Sequence, residues 1–270
     1  MQPEPTEWKD FFRLVKRRTG LDLNDYKQDQ IRRRIICIAQ AKKASNLQEF
    51  WKHLDSQETG IQWFLDKFAI NVSELFRNPE KWEELQTQIL PDLIARSGYL
   101  KCWSAGSSYG AEAYTLAAIL HKNFPGQHQI LCTDIDQAAL CQLEEGLFAE
   151  SDMARVPANY CIYFQQERDK YRVHPDLKRY IQFRQENLLS AEFEGGFDLI
   201  ACRNVVIYLT DEAKVRLNKA LYKALKPGGV LFVGSTERVF SAKELGFTTS
   251  LPFFYQKPME GITEKWRNAS

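Results

Sequence analysis

Four short segments carry residue types that can do chemistry, and each follows an apolar run that reads as a strand. The first is Ser104-Ala105-Gly106-Ser107-Ser108-Tyr109-Gly110, where small residues let a backbone approach a ligand closely. Its G-x-x-x-G spacing is neither the phosphate-cradling P-loop nor the G-x-G-x-x-G dinucleotide fingerprint, and a plain tight turn would also explain it. The second is Asp134, which ends QILCT and lies 28 positions after Gly106. An acid there can accept both hydroxyl protons of a ribose. A cap or loop aspartate is the bland alternative, but Asp136 is the better N-cap for the next helix, which leaves Asp134 for a ligand. The third is Asn187-Leu188-Leu189, an amide and apolar residues that can flank a flat base, or an ordinary loop asparagine. The fourth is Cys202-Arg203-Asn204-Val205-Val206-Ile207-Tyr208. A polar Arg-Asn pair interrupting a buried run is costly unless its groups are satisfied, whereas Tyr208 alone reads equally as a core tyrosine. A glycine-containing first turn with an acid on the next strand suggests an adenosine ligand without a pyrophosphate, and S-adenosylmethionine fits. Asn71, Ser73 and Arg77 stand just upstream and can reach across a domain junction, unless they are only polar residues between helices.

The elements that must position these residues follow from pattern. From Leu100 onward, short apolar runs (LKCWS, QILCTD, FDLIAC, VLFVGS) alternate with helical segments beginning near Ala111, Gln137 and Asp211. That alternation predicts a parallel sheet with crossover helices. Lys226-Pro227-Gly228-Gly229 predicts a helix stop and tight turn before the next strand. Residues 147–180 break the pattern with β-like pieces such as YCIYF and KYRV. Residues 1–77 read as an all-helical domain, with apolar stripes such as Trp8, Phe11, Phe12 and Val15 and no β-alternation. Asn78-Pro79-Glu80 predicts the capped start of a connecting helix over 78–98, ending at Gly98. The α/β domain then spans 99–260, followed by a polar tail at 261–270.

Composition excludes several classes. The 270 residues carry 36 basic and 35 acidic side chains, a balance that argues against bulk nucleic-acid binding. Six cysteines without C-x-x-C spacing read as small, reduced hydrophobes, which suits the cytoplasm. The four histidines form no ligand-spaced pair, so no metal is expected. No signal peptide and no membrane-spanning run are visible, and a monomer is expected. Charge is nonetheless uneven: residues 9–43 hold eleven Lys/Arg against four Asp. Arg32, Arg33 and Arg34 sit between Ile31 and Ile35, and at least two should face solvent, as a dock or as a merely solvated face.

NVSELFRNPEKWEEL, WSAGSSYGAEAYTLA, TDID, NLL, CRNVVIYL and LKPGGVLFVGSTE together resemble the receptor glutamate methyltransferases of bacterial chemotaxis (CheR type), over about residues 8–257. The resemblance implies a Rossmann-like S-adenosylmethionine-dependent methyltransferase domain, a small all-α N-terminal domain, a small inserted β-subdomain and an antiparallel last strand at FFYQK. It implies that Asn71, Ser73, Arg77, Glu112, Asp134, Asn187, Leu188, Asn204 and Val205 hold the cofactor, beside Gly106, with Arg77 and Tyr208 at the reacting centre. It also implies that Arg32, Arg33 and Arg34 dock the helical cytoplasmic domain of a methyl-accepting receptor, and that the product is S-adenosylhomocysteine. Tyr109, Ala111 and Ala113 depart from the family's usual S-T-G-E-E-P-Y-S run and are expected at the cofactor edge; Gly234-Ser235-Thr236-Glu237 stands for the usual G-H-S-E. A non-catalytic cofactor sensor is the alternative that these departures raise. A nucleic-acid methyltransferase lacks its [DNS]-P-P-[YF] and Pro-Cys motifs here, and a dehydrogenase lacks its glycine fingerprint.

Overall fold

The computed structural model describes residues 1–69, 71, 73–190 and 192–259; the polar tail at 261–270 lies outside them. The chain opens with four helices, α1 (Pro5–Thr19), α2 (Gln28–Ala41), α3 (Leu47–Asp55) and α4 (Gly60–Phe68). Their stripes close a separate aromatic core in which Phe11 stacks on Phe50 at 5.7 Å and meets Phe64 edge-on at 5.9 Å.

The connection from residue 78 to Gly98 is not one regular helix. α5 (Pro79–Glu84) passes through a π-helical stretch, Leu85–Ile89, into α6 (Leu90–Ser97). Pro91 has no N–H to donate and its ring crowds the preceding turn, and the widened turn accommodates both. Asn78 does not cap α5 with its side chain. Its backbone is left-handed (φ 59°), and its Oδ1 instead accepts from Arg203 Nη2 at 3.2 Å.

The second domain runs β1 (Lys101–Ala105), α7 (Ala111–Asn123), β2 (Gln129–Asp134), α8 (Gln137–Glu145), β3 (Leu147–Ala149), β4 (Phe164–Glu167), β5 (Lys170–Val173), α9 (Pro175–Lys178), β6 (Ile181–Gln185), β7 (Phe197–Cys202), α10 (Asp211–Ala224), β8 (Leu225–Val233), α11 (Ala242–Leu245), β9 (Thr248–Leu251) and β10 (Phe254–Gln256). Seven strands form one sheet in the order β6-β2-β1-β7-β8-β10-β9, and β6 through β8 are parallel. Alternate residues of β7 serve two cores: Leu199 and Ala201 face one, Ile200 and Cys202 the other. Chain order reverses between β1 and β7, so a crevice opens beyond their carboxyl ends.

The FFYQK segment forms β10, the last strand of the chain and antiparallel to β8 as expected, with β9 pairing on its outer side. Two local expectations change. The Lys226–Gly229 turn is a bulge within β8, since Phe197 pairs with Leu225 and Leu199 with Val230. YCIYF is mostly 3-10 helix: the Pro157 carbonyl accepts from Tyr160 N at 2.8 Å, and Ile162, which would complete the alternation, is exposed. KYRV does form β5, the centre of a three-stranded antiparallel insert.

At the edge of the sheet opposite the crevice, buried Asp198 accepts from Ser97 Oγ (2.9 Å), Lys101 N (2.8 Å) and Lys226 Nζ (2.9 Å). It ties α6, β1, β7 and β8 together. Asp198→Ala strands the Lys101 backbone donor and removes the partner of the half-exposed Lys226, and is expected to cost about 1–3 kcal/mol. Asp198→Asn, which keeps an acceptor, should cost less. Urea unfolding measures both, and an unchanged midpoint for the alanine variant would refute the tie.

Candidate cofactor and active site

The crevice is a cleft of about 460 Å³, a size that takes a small organic ligand. All four strand-end segments reach it, through Gly106–Ser108, Asp134, Asn187–Leu189 and Arg203–Val205. Asn71, Ser73, Arg77, Glu112 and Tyr208 line it as well.

Gly106 is required by both conformation and space. Its φ is +77°, and a Cβ there would fall 2.6 Å from Val205 Cγ2. The following turn is held by Asp134, whose Oδ2 accepts from Ser108 N at 2.8 Å and whose Oδ1 accepts from Asp136 N at 2.9 Å. Asp134 is thus engaged by two backbone donors while it lines the cleft, rather than wholly free for a ligand. Burial pushes its carboxyl above the usual range, and those N–H groups pull it back. Asp136 caps α8 as the sequence predicts, accepting from Ala139 N at 3.0 Å. Asn71 bridges the same corner: it donates to Asp136 Oδ2 at 2.5 Å and accepts from Ser108 Oγ at 2.8 Å.

The Arg203–Val206 turn has its own clamp. Asn204 is left-handed (φ 61°), a conformation asparagine tolerates better than most residues. Buried Glu237 accepts from Asn204 N (2.6 Å), Gly234 N (2.8 Å) and Val206 N (3.0 Å). Sequence reasoning passed over Glu237, although an acid after a buried strand was a usable signal. Arg203, which the sequence marks as costly to bury but does not assign to the cofactor, finds its partners here. It is buried, its guanidinium lies 4.5 Å from the Phe232 ring centroid, and Nη2 donates to the Arg77 carbonyl at 3.0 Å. Glu112 stands 3.7 Å from Arg203 Nη1 and accepts from Ser104 Oγ at 2.9 Å. That ion pair is loose, so burial dominates both partners, raising the acid and lowering the guanidinium.

The helical domain supplies the other wall through Tyr26, Gln30, Ile31, Arg34 and Phe68. It is joined to the sheet domain by an isolated bridge between Tyr26 and Leu209, by Lys27 N donating to Tyr208 O at 2.9 Å, and by the Arg216–Asp25 ion pair. The three arginines expected on one face are split. Arg33 is exposed. Arg32 lies over Trp8, 5.3 Å from its ring centroid. Arg34 turns into the cleft and caps the end of α4, donating to Lys67 O (2.8 Å) and Ala69 O (2.5 Å).

The departures in the first turn do not fall at the cleft. Tyr109 points toward the insert, its hydroxyl against the Ser73 carbonyl and 3.0 Å from Asp152 Oδ1. Ala111 and Ala113 are fully buried in the core beneath α7.

Comparison with known proteins agrees with this geometry. The family model "CheR methyltransferase, SAM binding domain" matches residues 71–251, and "CheR methyltransferase, all-alpha domain" matches residues 6–69. A chemotaxis protein methyltransferase of Listeria monocytogenes is 38% identical over 250 residues, covering 92% of this chain and 95% of that protein. Those of Borreliella burgdorferi and Escherichia coli are 29% and 28% identical, covering 91% and 87% of this chain and 92% and 85% of theirs. The chain therefore belongs to the CheR family of S-adenosylmethionine-dependent methyltransferases.

Proposed function

We propose that the chain forms methyl esters on glutamate side chains of methyl-accepting chemotaxis receptors, acting as a cytoplasmic monomer on their helical domain. The observation that carries this reading is the single cleft shared by the switch-point turns and the helical domain. It sits in a chain similar along most of its length to chemotaxis protein methyltransferases. No described helix is long and apolar enough to cross a membrane.

The donor set fits the cofactor. Asp134 suits the ribose hydroxyls, and Asn187 with Leu188 the base. Gly106 admits close approach, and Asn204 and Val205 form the shelf beside it. Asn71, Ser73, Arg77 and Glu112 line the remainder, toward the amino-acid end. When bound, S-adenosylmethionine supplies a methyl group on a sulfonium and leaves as S-adenosylhomocysteine. The protein has less to do than in acid–base catalysis. A substrate glutamate, with an ordinary pKa of about 4.3, is already an ionised nucleophile at neutral pH, so no general base is needed. Arg77 and Tyr208 both line the cleft, which supports a role for them in orienting that carboxylate. The helical wall excludes water, which strengthens the alignment of opposite charges.

The basic face of α1 and α2 serves the approach of acidic receptor helices, with Arg33 exposed to solvent and Arg34 inside the cleft. Arg17 of α1 is exposed like Arg33, and Arg33→Ala together with Arg17→Ala should slow receptor methylation at low salt and flatten its salt dependence, because steering is screened within about 8 Å at physiological ionic strength. Unaltered rates across a salt series would leave this face merely solvated.

Incubation with methyl-labelled cofactor and receptor-containing membranes should give label on a receptor-sized band that is released by mild base, as esters are. Base-stable label would exclude the ester. Arg77→Ala should lower kcat more than it weakens cofactor binding, and Arg77→Lys should restore it only in part, because a point charge lacks the planar fork. A normal kcat would remove Arg77 from the reacting centre. Asp134→Ala should weaken S-adenosylmethionine and S-adenosylhomocysteine alike, by about 1.5–3 kcal/mol. Titration calorimetry reads this directly, and equal affinities in variant and parent would take Asp134 out of the site.

A further inference from the structure

Arg77 stands between two left-handed residues, Phe76 (φ 53°) and Asn78 (φ 59°). Residues other than glycine keep that backbone only where their surroundings impose it. On one side the core does so. The Arg77 carbonyl accepts from Trp82 Nε1 and from Arg203 Nη2, each at 3.0 Å, and Phe76 N donates to Thr115 Oγ1 at 2.9 Å. On the other side the holding groups come from the direction of the insert. The Tyr109 hydroxyl donates to the Ser73 carbonyl and lies 3.0 Å from Asp152 Oδ1. Arg155 pairs with Glu74 at 3.0 Å, and the Tyr160 ring lies 4.9 Å from that of Phe76.

We propose that Tyr109 is a positioning residue for methyl transfer, bracing against the insert the stretch that carries Ser73 and Arg77. This rests on the reading of Arg77 at the reacting centre. Tyr109 does not line the cleft, whereas Ser73 and Arg77 both do, so its action is through them. Arg155 is a weaker brace, because it is about half exposed and such ion pairs contribute little. Tyr109 is half-buried, with its ring 6.0 Å from that of buried Phe148 in β3. Burial and the Asp152 carboxylate push its hydroxyl above the ordinary range, so it stays protonated and remains a donor at neutral pH. Length matters too. A threonine hydroxyl sits on Cβ, whereas the tyrosine hydroxyl stands beyond a ring, and here it spans from the first turn to the Ser73 backbone. The departure from the family's usual run at this position thus adds a link that the shorter side chain could not make.

The test compares the parent with Tyr109→Phe, Arg77→Ala and the double variant. Methylation of receptor-containing membranes gives kcat and KM, and calorimetry with S-adenosylhomocysteine gives Kd and stoichiometry. Tyr109→Phe keeps the ring and loses one hydrogen bond, so kcat should fall about 3- to 10-fold. KM and Kd should stay within about twofold, because the strand-end turns that form the cleft floor are untouched. Stoichiometry should stay at the parent's value; it counts folded sites, so a smaller folded fraction cannot imitate the loss of kcat. In the Arg77→Ala background the same substitution should lower kcat by less than about twofold, since the group it positions is gone. A Tyr109→Phe protein with parental kcat overturns the proposal. So does a loss of equal size in both backgrounds, or one matched by a fall in stoichiometry. Parental kcat in Arg77→Ala removes the reading of the reacting centre, whereas a slow Arg77→Ala beside a parental Tyr109→Phe removes the brace alone.

Discussion

Buried carboxylates that accept backbone N–H groups hold this site together. A strand that ends in a tight turn leaves donors that neither sheet nor helix can pair, and here those turns lie inside the protein. Asp134 takes two of them at the end of β2, and Glu237 takes three across the ends of β7 and β8. Removing such acids from water is unfavourable, as the upward shift of both carboxyls records. Several short bonds to fixed donors offset that cost. In return the turns are locked before any ligand arrives, so little ordering remains to be done on binding.

The same constraint decides where the helical domain must sit. The turns on the sheet side are rigid but open, and a flat crevice would leave reacting charges exposed to water. Tyr26, Ile31, Arg34 and Phe68 close it from across the junction. Backbone pairing at Tyr26 and Leu209 and the cap that Arg34 places on α4 fix that wall. Asn71 is bonded to the first turn through Ser108, and Ser73 to the side of the insert through Tyr109. A second link joins the insert to this part of the chain, the Arg155–Glu74 pair at 3.0 Å. Tyr109 is thus part of the scaffold behind the cleft, and its departure from the family pattern supplies no argument for a silent sensor.

The sequence by itself determined the elements and most of the cleft floor. Helical stripes such as Trp8-Phe11-Phe12-Val15 and buried runs such as FDLIAC are local signals, because periodicity 3.6 and continuous burial are written within a few residues. Parallel strands also present their carboxyl ends on one edge, so Gly106, Asp134, Asn187 and Asn204 could be assigned to one crevice before any contact was known. Tertiary structure alone decided which groups finish it. Glu237 is far in sequence from Asn204, yet its carboxylate lies 2.6 Å from that N–H. Three consecutive arginines look alike in sequence, but helical geometry sends Arg32 to Trp8, Arg33 to solvent and Arg34 into the cleft. YCIYF alternates like a strand, yet of its residues only Phe164 pairs in one, with Val173, and the Pro157 carbonyl starts a 3-10 turn over the rest. Spacing along the chain records which residues share a face; it does not record which distant donor or ring that face will meet, and burial of polar groups is settled only there.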